Sequence, residues 1–395
     1  MPHARKRHSL NLLLKKLAFS PVVSIQGARQ TGKSFLARTI LPDVLPEKSD
    51  PKYLSFDTQA TRDFAITNPD TFLEQHANHA PVILDEAQKV PSIFDAVKLR
   101  VDRERRPGRY VLLGSTEFSH LTRIRESLTG RMSRLRLYPM NAAETLGLPP
   151  NPSRHIGLIQ EKPRVKRGEF LQFLDRGGFP GIFAVRSDGE RKSLIRDWLD
   201  LVVQRDIHQI PEIKVDSELC ERILSLIATL ETPSQGEIAR MLRKDPRLVR
   251  RHLEVLETLF VIQPLSPHPL GFGKKLYFLC DPLAAGALGA GFLRKLETAL
   301  LLEQWSQRSY RDDRQMQLFF YQTNRGSRIQ LLMESPHQLV AIRILPEEKI
   351  DEREFEVLRA LGKKCSKPIV LIGMTSLGET YQLKGVKLCP WESVC

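Results

Sequence analysis

Eight consecutive residues, GARQTGKS at Gly27–Ser34, constrain this chain more than any other feature. They satisfy the pattern G-x-x-x-x-G-K-[ST] without a gap. The β-branched run PVVSIQ (Pro21–Gln26) precedes them as a buried strand, and FLARTIL continues as a helix. Strand, loop and helix in that order form the context in which such a loop closes around phosphate. The glycines let the backbone wrap the anion, and the loop N–H groups join the helix N-terminus in an anion nest. Gly27, Ala28, Arg29, Gln30, Thr31, Gly32, Lys33 and Ser34 are therefore the expected nucleotide-binding residues. Lys33 is expected at the β- and γ-phosphates and Ser34 on Mg²⁺, so the expected cofactors are ATP and Mg2+.

Carboxylates are needed to complete such a site, and LDEAQ supplies them. Val82–Leu84 is an apolar strand with Asp85 at its C-terminal edge, where ligands of open α/β sheets collect. Asp85 is expected to hold Mg²⁺ through water, and Glu86 to orient and deprotonate the attacking water. A third strand end, LLGS, offers Ser115 or Thr116 as a γ-phosphate sensor; the competing reading is a polar cap on the next helix. Arg131, in the Gly-containing turn of SLTGRMSRL, reads as an arginine finger toward its own or a neighbour's nucleotide. A surface salt bridge is the alternative.

The surrounding pattern is α/β. Strands are expected at Pro21–Gln26, Tyr53–Asp57, Pro81–Gln88, Arg109–Ser115 and Arg134–Met140, with helices between them. That alternation means a parallel sheet covered on both faces. At 395 residues the chain is long enough for two or three domains. No apolar run approaches the ~18 residues of a membrane span. Five dispersed cysteines without a CxxC pair argue for a reducing, cytoplasmic setting and against structural zinc. The first 42 residues carry no acid, as transit peptides do, yet the phosphate loop starts at Gly27, so the stretch reads as domain. The net charge is +14, and residues 1–150 hold 23 basic against 15 acidic side chains. Such a surface attracts polyanions without choosing among nucleotide, nucleic acid and anionic lipid.

The texture becomes linker-like around Leu146–Arg167, then helical from Phe170 to Leu265. FLDRGGFP (Phe173–Pro180) reads as a tight loop joining the two parts. PRLVRRHLEVLETLF puts Val249, Leu253, Leu256 and Phe260 on one helix face and Arg247, Arg250, Arg251 and Glu254 on another. With a preceding helix, GEIARMLRK, and two following strands, FVIQPL and KKLYFLCD, this is a helix-turn-helix with a basic second helix. DNA contact is one expectation, and a lid or protein contact is the favoured one. Residues 291–395 return to mixed helix and strand.

Taken in order, GARQTGKS, YLSFDTQATRDFA, NPDTFL, VILDEAQKVP, RYVLLGS, ESLTGRMSRLRLYPMNAAE and FLDRGGFP resemble the prokaryotic AAA-like P-loop ATPases with a winged helix and a C-terminal nuclease-like domain. The resemblance covers nearly the whole chain. It implies an AAA+-like parallel-sheet core at 1–148, a linker at 149–168, a helical and winged-helix domain at 169–285 and a small restriction-nuclease-like tail at 286–395. It also implies ATP hydrolysis; homo-oligomerisation and a protein partner are further expectations, and no membrane is expected. The tail departs from the family pattern. Glu297 is kept, but Arg328 and Gln330 stand where the family has Glu and Asp, and Arg343 and Leu345 where it has Glu and Lys. Guanidinium in place of carboxylate cannot hold a divalent metal, so the expected tail is a dead nuclease fold. The expected function is a Mg-dependent ATPase acting as a conformational switch. The alternatives are a DNA-binding regulator gated by nucleotide and, less favoured because of the lost carboxylates, a structure-specific nuclease.

Overall fold

The computed structural model describes residues 5–118, 128–151, 163–210, 214–345 and 352–394. Its first layer is a five-stranded parallel sheet: β1 (Val22–Gln26), β2 (Lys52–Ser55), β3 (Val82–Asp85), β4 (Tyr110–Gly114) and β5 (Met132–Arg136), in the order β2-β3-β4-β1-β5. Every residue of β1, β3 and β4 is buried, as near-continuous apolar strands covered on both faces must be. Val22 pairs with Tyr110 on one side and Met132 on the other, which makes β1 an interior strand, and parallel pairing throughout brings all C-terminal strand ends to one edge. The helix Leu10–Leu17 packs Leu12, Leu13 and Leu17 beneath this sheet.

Strand ends match the sequence reading to within a few residues, and the largest difference is at β5. It runs from Met132 to Arg136 rather than from Arg134 to Met140. Pro139 has no N–H to give a ladder, and the segment beyond Leu137 is drawn away: Met140 N–H donates to the Gly178 carbonyl at 2.7 Å. Gly178 is required there, because a Cβ would stand 1.9 Å from the Met140 carbonyl oxygen.

Helices dominate the middle of the chain. Ser187, Asp216, Ser234 and Asp245 each cap a helix N-terminus with the side chain, opening Asp188–Gln204, Ser217–Thr229, Gln235–Leu242 and Pro246–Thr258. In the last, Val249, Leu253 and Leu256 are buried while Arg247, Arg250 and Arg251 are exposed, on the faces their spacing predicts. A hairpin follows, β6 (Ile262–Pro267) with β7 (Leu276–Leu279).

β6 also runs parallel to β8 (Gln317–Gln322), so the hairpin is part of an eight-stranded mixed sheet. The others are β9 (Arg328–Glu334), β10 (Leu339–Ile344), β11 (Ile369–Thr375), β12 (Tyr381–Leu383) and β13 (Val386–Pro390). The order is β12-β13-β11-β10-β9-β8-β6-β7. Helix Pro282–Ala287 straddles residue 285, and one apolar cluster joins Leu13 and Val23 of the first layer to Trp305, Phe320 and Trp391. Most of the expected linker, residues 152–162, lies outside the described residues. No helix among the described residues is long and apolar enough to cross a membrane.

Candidate functional site

β1 ends at Gln26 and the chain turns immediately into the phosphate-type loop. Gly27 has no room for a side chain: a Cβ there would stand 2.0 Å from the Leu137 carbonyl oxygen. Gln30 and Gly32 take positive φ, +61° and +92°, and carry the loop into the helix that begins at Lys33. That helix widens into a π-helical turn over Leu36–Ile40.

Lys33 is 5% exposed and folds back on its own loop, donating to the carbonyls of Gly27 at 2.9 Å and Ala28 at 2.8 Å. Burial lowers its ammonium to about 8, and the nearby Glu86 and Asp85 only partly offset this. A folded value below the unfolded 10.5 means that the native state gives up this proton first. Stability therefore rises with pH between about 8 and 10.5, and the penalty for burying the charge is fully present below 8. The effect on anion binding has the opposite sense. ATP affinity, titrated from about pH 7 to about pH 9.5, should fall by roughly tenfold per unit once the unliganded amine is neutral. A flat profile would show that Lys33 carries no part of the phosphate attraction.

Facing Lys33, β3 ends at Asp85, which is 4% exposed. Ser34 Oγ donates to Asp85 Oδ2 at 2.6 Å, the Tyr53 hydroxyl donates to the same oxygen, and the Glu86 N–H donates to Oδ1 at 2.9 Å. Glu86 has φ +55°, a left-handed conformation uncommon outside glycine and costing of order 1–3 kcal/mol. This turn sets its carboxylate against the end of β4: Ser115 Oγ donates to Glu86 Oε2 at 3.1 Å. Gln88 Nε2 donates to both Glu86 Oε2 and, at 3.2 Å, Ser115 Oγ. Thr116, the other sensor candidate, is buried beside Ser115.

The donor chemistry fits Mg²⁺. A hydroxyl and a carboxylate are hard oxygen ligands, and Mg²⁺ takes one or two protein oxygens with phosphates and water rather than an all-protein cage. Among the described residues no group of three or more His, Cys, Asp or Glu could hold a metal on its own.

Arg131 stands apart from this cluster. It precedes β5, whose Met132 pairs with Val22 at the start of β1, so it lies at the opposite edge of the sheet, roughly 16 Å along the strand from the loop. Its guanidinium grips Asp102 with two bonds, at 2.5 and 2.9 Å, and donates to the Thr129 carbonyl at 3.1 Å. The Arg131 bond holds the Asp102 carboxyl below its usual range.

Three further residues reach the loop without any motif to announce them. Trp198 Nε1 donates to the Arg29 carbonyl at 3.3 Å, and Asp206 Oδ2 pairs with Arg29 Nε at 2.5 Å. Burial raises the Asp206 carboxyl, and the Arg29 charge opposes the shift. Phe179 stacks on Trp198 with ring centroids 4.7 Å apart, and Ala28 is buried in the same apolar cluster. The middle helices thus grip the loop from above. From the N-terminal side, Arg7 donates to the Thr31 carbonyl at 2.6 Å, the Tyr138 carbonyl at 2.7 Å and Glu144 at 3.1 Å.

Comparison with known proteins agrees with this core. The profile of a family described as an AAA domain matches residues 19–146, and that of a domain of unknown function (DUF8612) matches residues 167–277. An uncharacterized protein of Mycobacterium tuberculosis is 26% identical over 272 residues, 68% of this chain and 55% of the relative. An uncharacterized protein of Methanocaldococcus jannaschii is 23% identical over 224 residues, 54% of this chain and 48% of the relative. The chain thus spans about half the length of the curated relatives it matches. Among solved structures, the Walker-type ATPase of Pyrococcus abyssi aligns with a TM-score of 0.43 at 14% identity, covering 71% of this chain and 95% of that one. The replication initiator DnaA bound to AMPPCP and single-stranded DNA aligns with a TM-score of 0.31 at 15% identity, covering 63% and 86%. The five-stranded parallel sheet and its phosphate-type loop, within residues 19–146, are an AAA-like P-loop domain.

Proposed function

We propose that the chain binds ATP at Gly27–Ser34 and hydrolyses it with Mg²⁺, and that turnover drives a conformational switch. One observation carries this reading: Lys33, Ser34, Asp85, Glu86 and Ser115, drawn from three strand ends, meet at one edge of the sheet. In this role Lys33 neutralises the β- and γ-phosphates, and Ser34 and Asp85 hold Mg²⁺, which stabilises charge on the phosphate oxygens. Glu86 takes a proton from the attacking water, and Ser115 and Gln88 orient its carboxylate. Arg131 could serve only a neighbouring copy's nucleotide, because it sits at the far edge of its own sheet. The Trp198 and Asp206 contacts give the middle helices a direct mechanical hold on the loop. The test is phosphate release by the full chain with and without Mg²⁺. Turnover that needs Mg²⁺ supports the reading, and none in any condition would leave nucleotide binding alone.

A second reading, a nucleic-acid regulator gated by nucleotide, is favoured by one surface. Arg243, Lys244, Arg247, Arg250 and Arg251 are exposed on the helix pair, and Lys274 and Lys275 on the hairpin loop behind it. Three helices and such a hairpin would form a winged helix with Pro246–Thr258 toward the major groove. Duplex DNA binding should then weaken steeply with salt through counterion release. Arg247→Ala, Arg250→Ala and Arg251→Ala together should reduce both affinity and salt slope in a filter-binding titration. An unchanged slope would leave that helix to protein contacts.

The tail fits an inactive nuclease-like unit. Glu297 is 1% exposed and clasped by Arg294 at 2.9 Å and Arg328 at 3.1 Å, while Arg343 pairs with Glu354. Two guanidinium groups occupy the carboxylate that a metal would need. Incubation of plasmid DNA with the protein and Mg²⁺ or Mn²⁺ should give no cleavage, and cutting that survives Lys33→Ala would overturn this assignment.

A further inference from the structure

Where the middle helices meet the tail, a cavity of about 540 Å³ opens between four helices: Arg167–Arg176, Asp188–Gln204, Pro282–Ala287 and Phe292–Tyr310. None of its lining residues belongs to Gly27–Ser34. Its walls carry Arg176, Arg191, Lys192, Arg196 and Lys295 against only Asp175 and Asp188. Lys295 pairs with Asp175 at 2.5 Å, and Lys192 and Arg191 share Asp188 at 2.7 and 3.1 Å. Both carboxylates are thereby engaged. Arg176 and Arg196 form no ion pair with a described residue, so the lining keeps an excess of three positive charges.

Arg191 shows that this is more than a solvated basic face. It is 5% exposed, and its Nη1 donates to the carbonyls of Val185 and Arg186, both at 2.8 Å. Its buried Nε has no acceptor among the described residues. The guanidinium is thus fixed in the cavity wall, where its charge acts on the cavity at short range and with little screening by water. No aromatic side chain lines the cavity, so nothing there stacks on a base. What the walls recognise is charge, and guanidinium groups meet phosphate oxygens in pairs. The volume is that of a small-molecule site and not of a groove for a double helix.

We propose that this cavity is a second anion site, distinct from the P-loop, for a small ligand bearing two or more phosphate groups. Arg191 supplies fixed positive charge in its wall, and Arg176 and Arg196 are its clamps.

The test uses the full chain carrying Lys33→Ala, so that the P-loop does not take the probe and the result is independent of the ATP reading. Tripolyphosphate is titrated calorimetrically at low salt. One site per chain is expected. Arg176→Ala with Arg196→Ala should weaken it by roughly tenfold for each guanidinium removed. Arg106→Ala with Arg314→Ala, two exposed arginines elsewhere, should leave it unchanged. The three proteins should melt at similar temperatures, because all four positions lie at least partly exposed. No binding, binding indifferent to the cavity pair, or equal loss in the control pair would overturn the proposal. A cavity pair that weakens duplex DNA but not tripolyphosphate would do so as well.

Discussion

Lys33→Ala should lower Mg·ATP affinity by about 100-fold or more. The expected size comes from the charge-assisted bonds that Lys33 would give to two phosphates, each worth ~1.5–3 kcal/mol in a site from which water is largely excluded. In the structure those donors are spent on the Gly27 and Ala28 carbonyls, only 2.9 and 2.8 Å away. The loop is thus shaped around a positive charge, and removing the charge also leaves two carbonyls without their donor. A modest loss of thermal stability should accompany the loss of binding. Fluorescent-nucleotide titration with a melting curve on the same sample separates the two effects. A variant that melts normally and binds ATP normally would place the nucleotide elsewhere.

Glu86→Gln should behave differently, keeping ATP and losing turnover. Glu86 makes no bond to Ser34 or Lys33; its carboxylate is held by Ser115 and Gln88, one shell out from the residues proposed for phosphate and Mg²⁺. The amide preserves volume and one acceptor oxygen but cannot take a proton. General-base removal typically lowers rate by 10²–10⁴-fold, so turnover should fall by about that factor with affinity little changed. The strained φ of +55° would be inherited unchanged by glutamine, which keeps the comparison clean.

Local chemistry explains how much of this site could be read from the chain alone. GARQTGKS and LDEAQ each sit at the end of an apolar strand, and parallel pairing through β4 forces such ends to one edge, so Lys33, Ser34, Asp85 and Glu86 had to converge. Ser115 followed for the same reason. Tyr53 did not, although its strand was legible: its bond to Asp85 depends on β2 lying next to β3, which is a matter of strand order. Gln88 was visible inside LDEAQ, but its role emerges only once the backbone turns through Glu86. Asp206, Trp198 and Arg7 reach the loop from 24 to 177 residues away in sequence, and no periodicity encodes such a contact. Arg131 shows the converse case. Its turn was legible, while its distance from the loop follows only from the β1–β5 register. Pro139 and Gly178 carry the β5 discrepancy: the strand pattern continued, but a missing donor and a close backbone approach ended the ladder.

The central claim, that this edge of the sheet both binds and hydrolyses ATP, is tested most directly by the nucleotide that stays with the protein. Wild type and Glu86→Gln are each incubated with Mg·ATP, passed rapidly over a desalting column, and the retained nucleotide is identified by chromatography. The account predicts ADP on the wild type and intact ATP, near one per chain, on the variant. ADP on the variant at the wild-type level would contradict the role of Glu86, and no nucleotide on either protein would contradict the site itself.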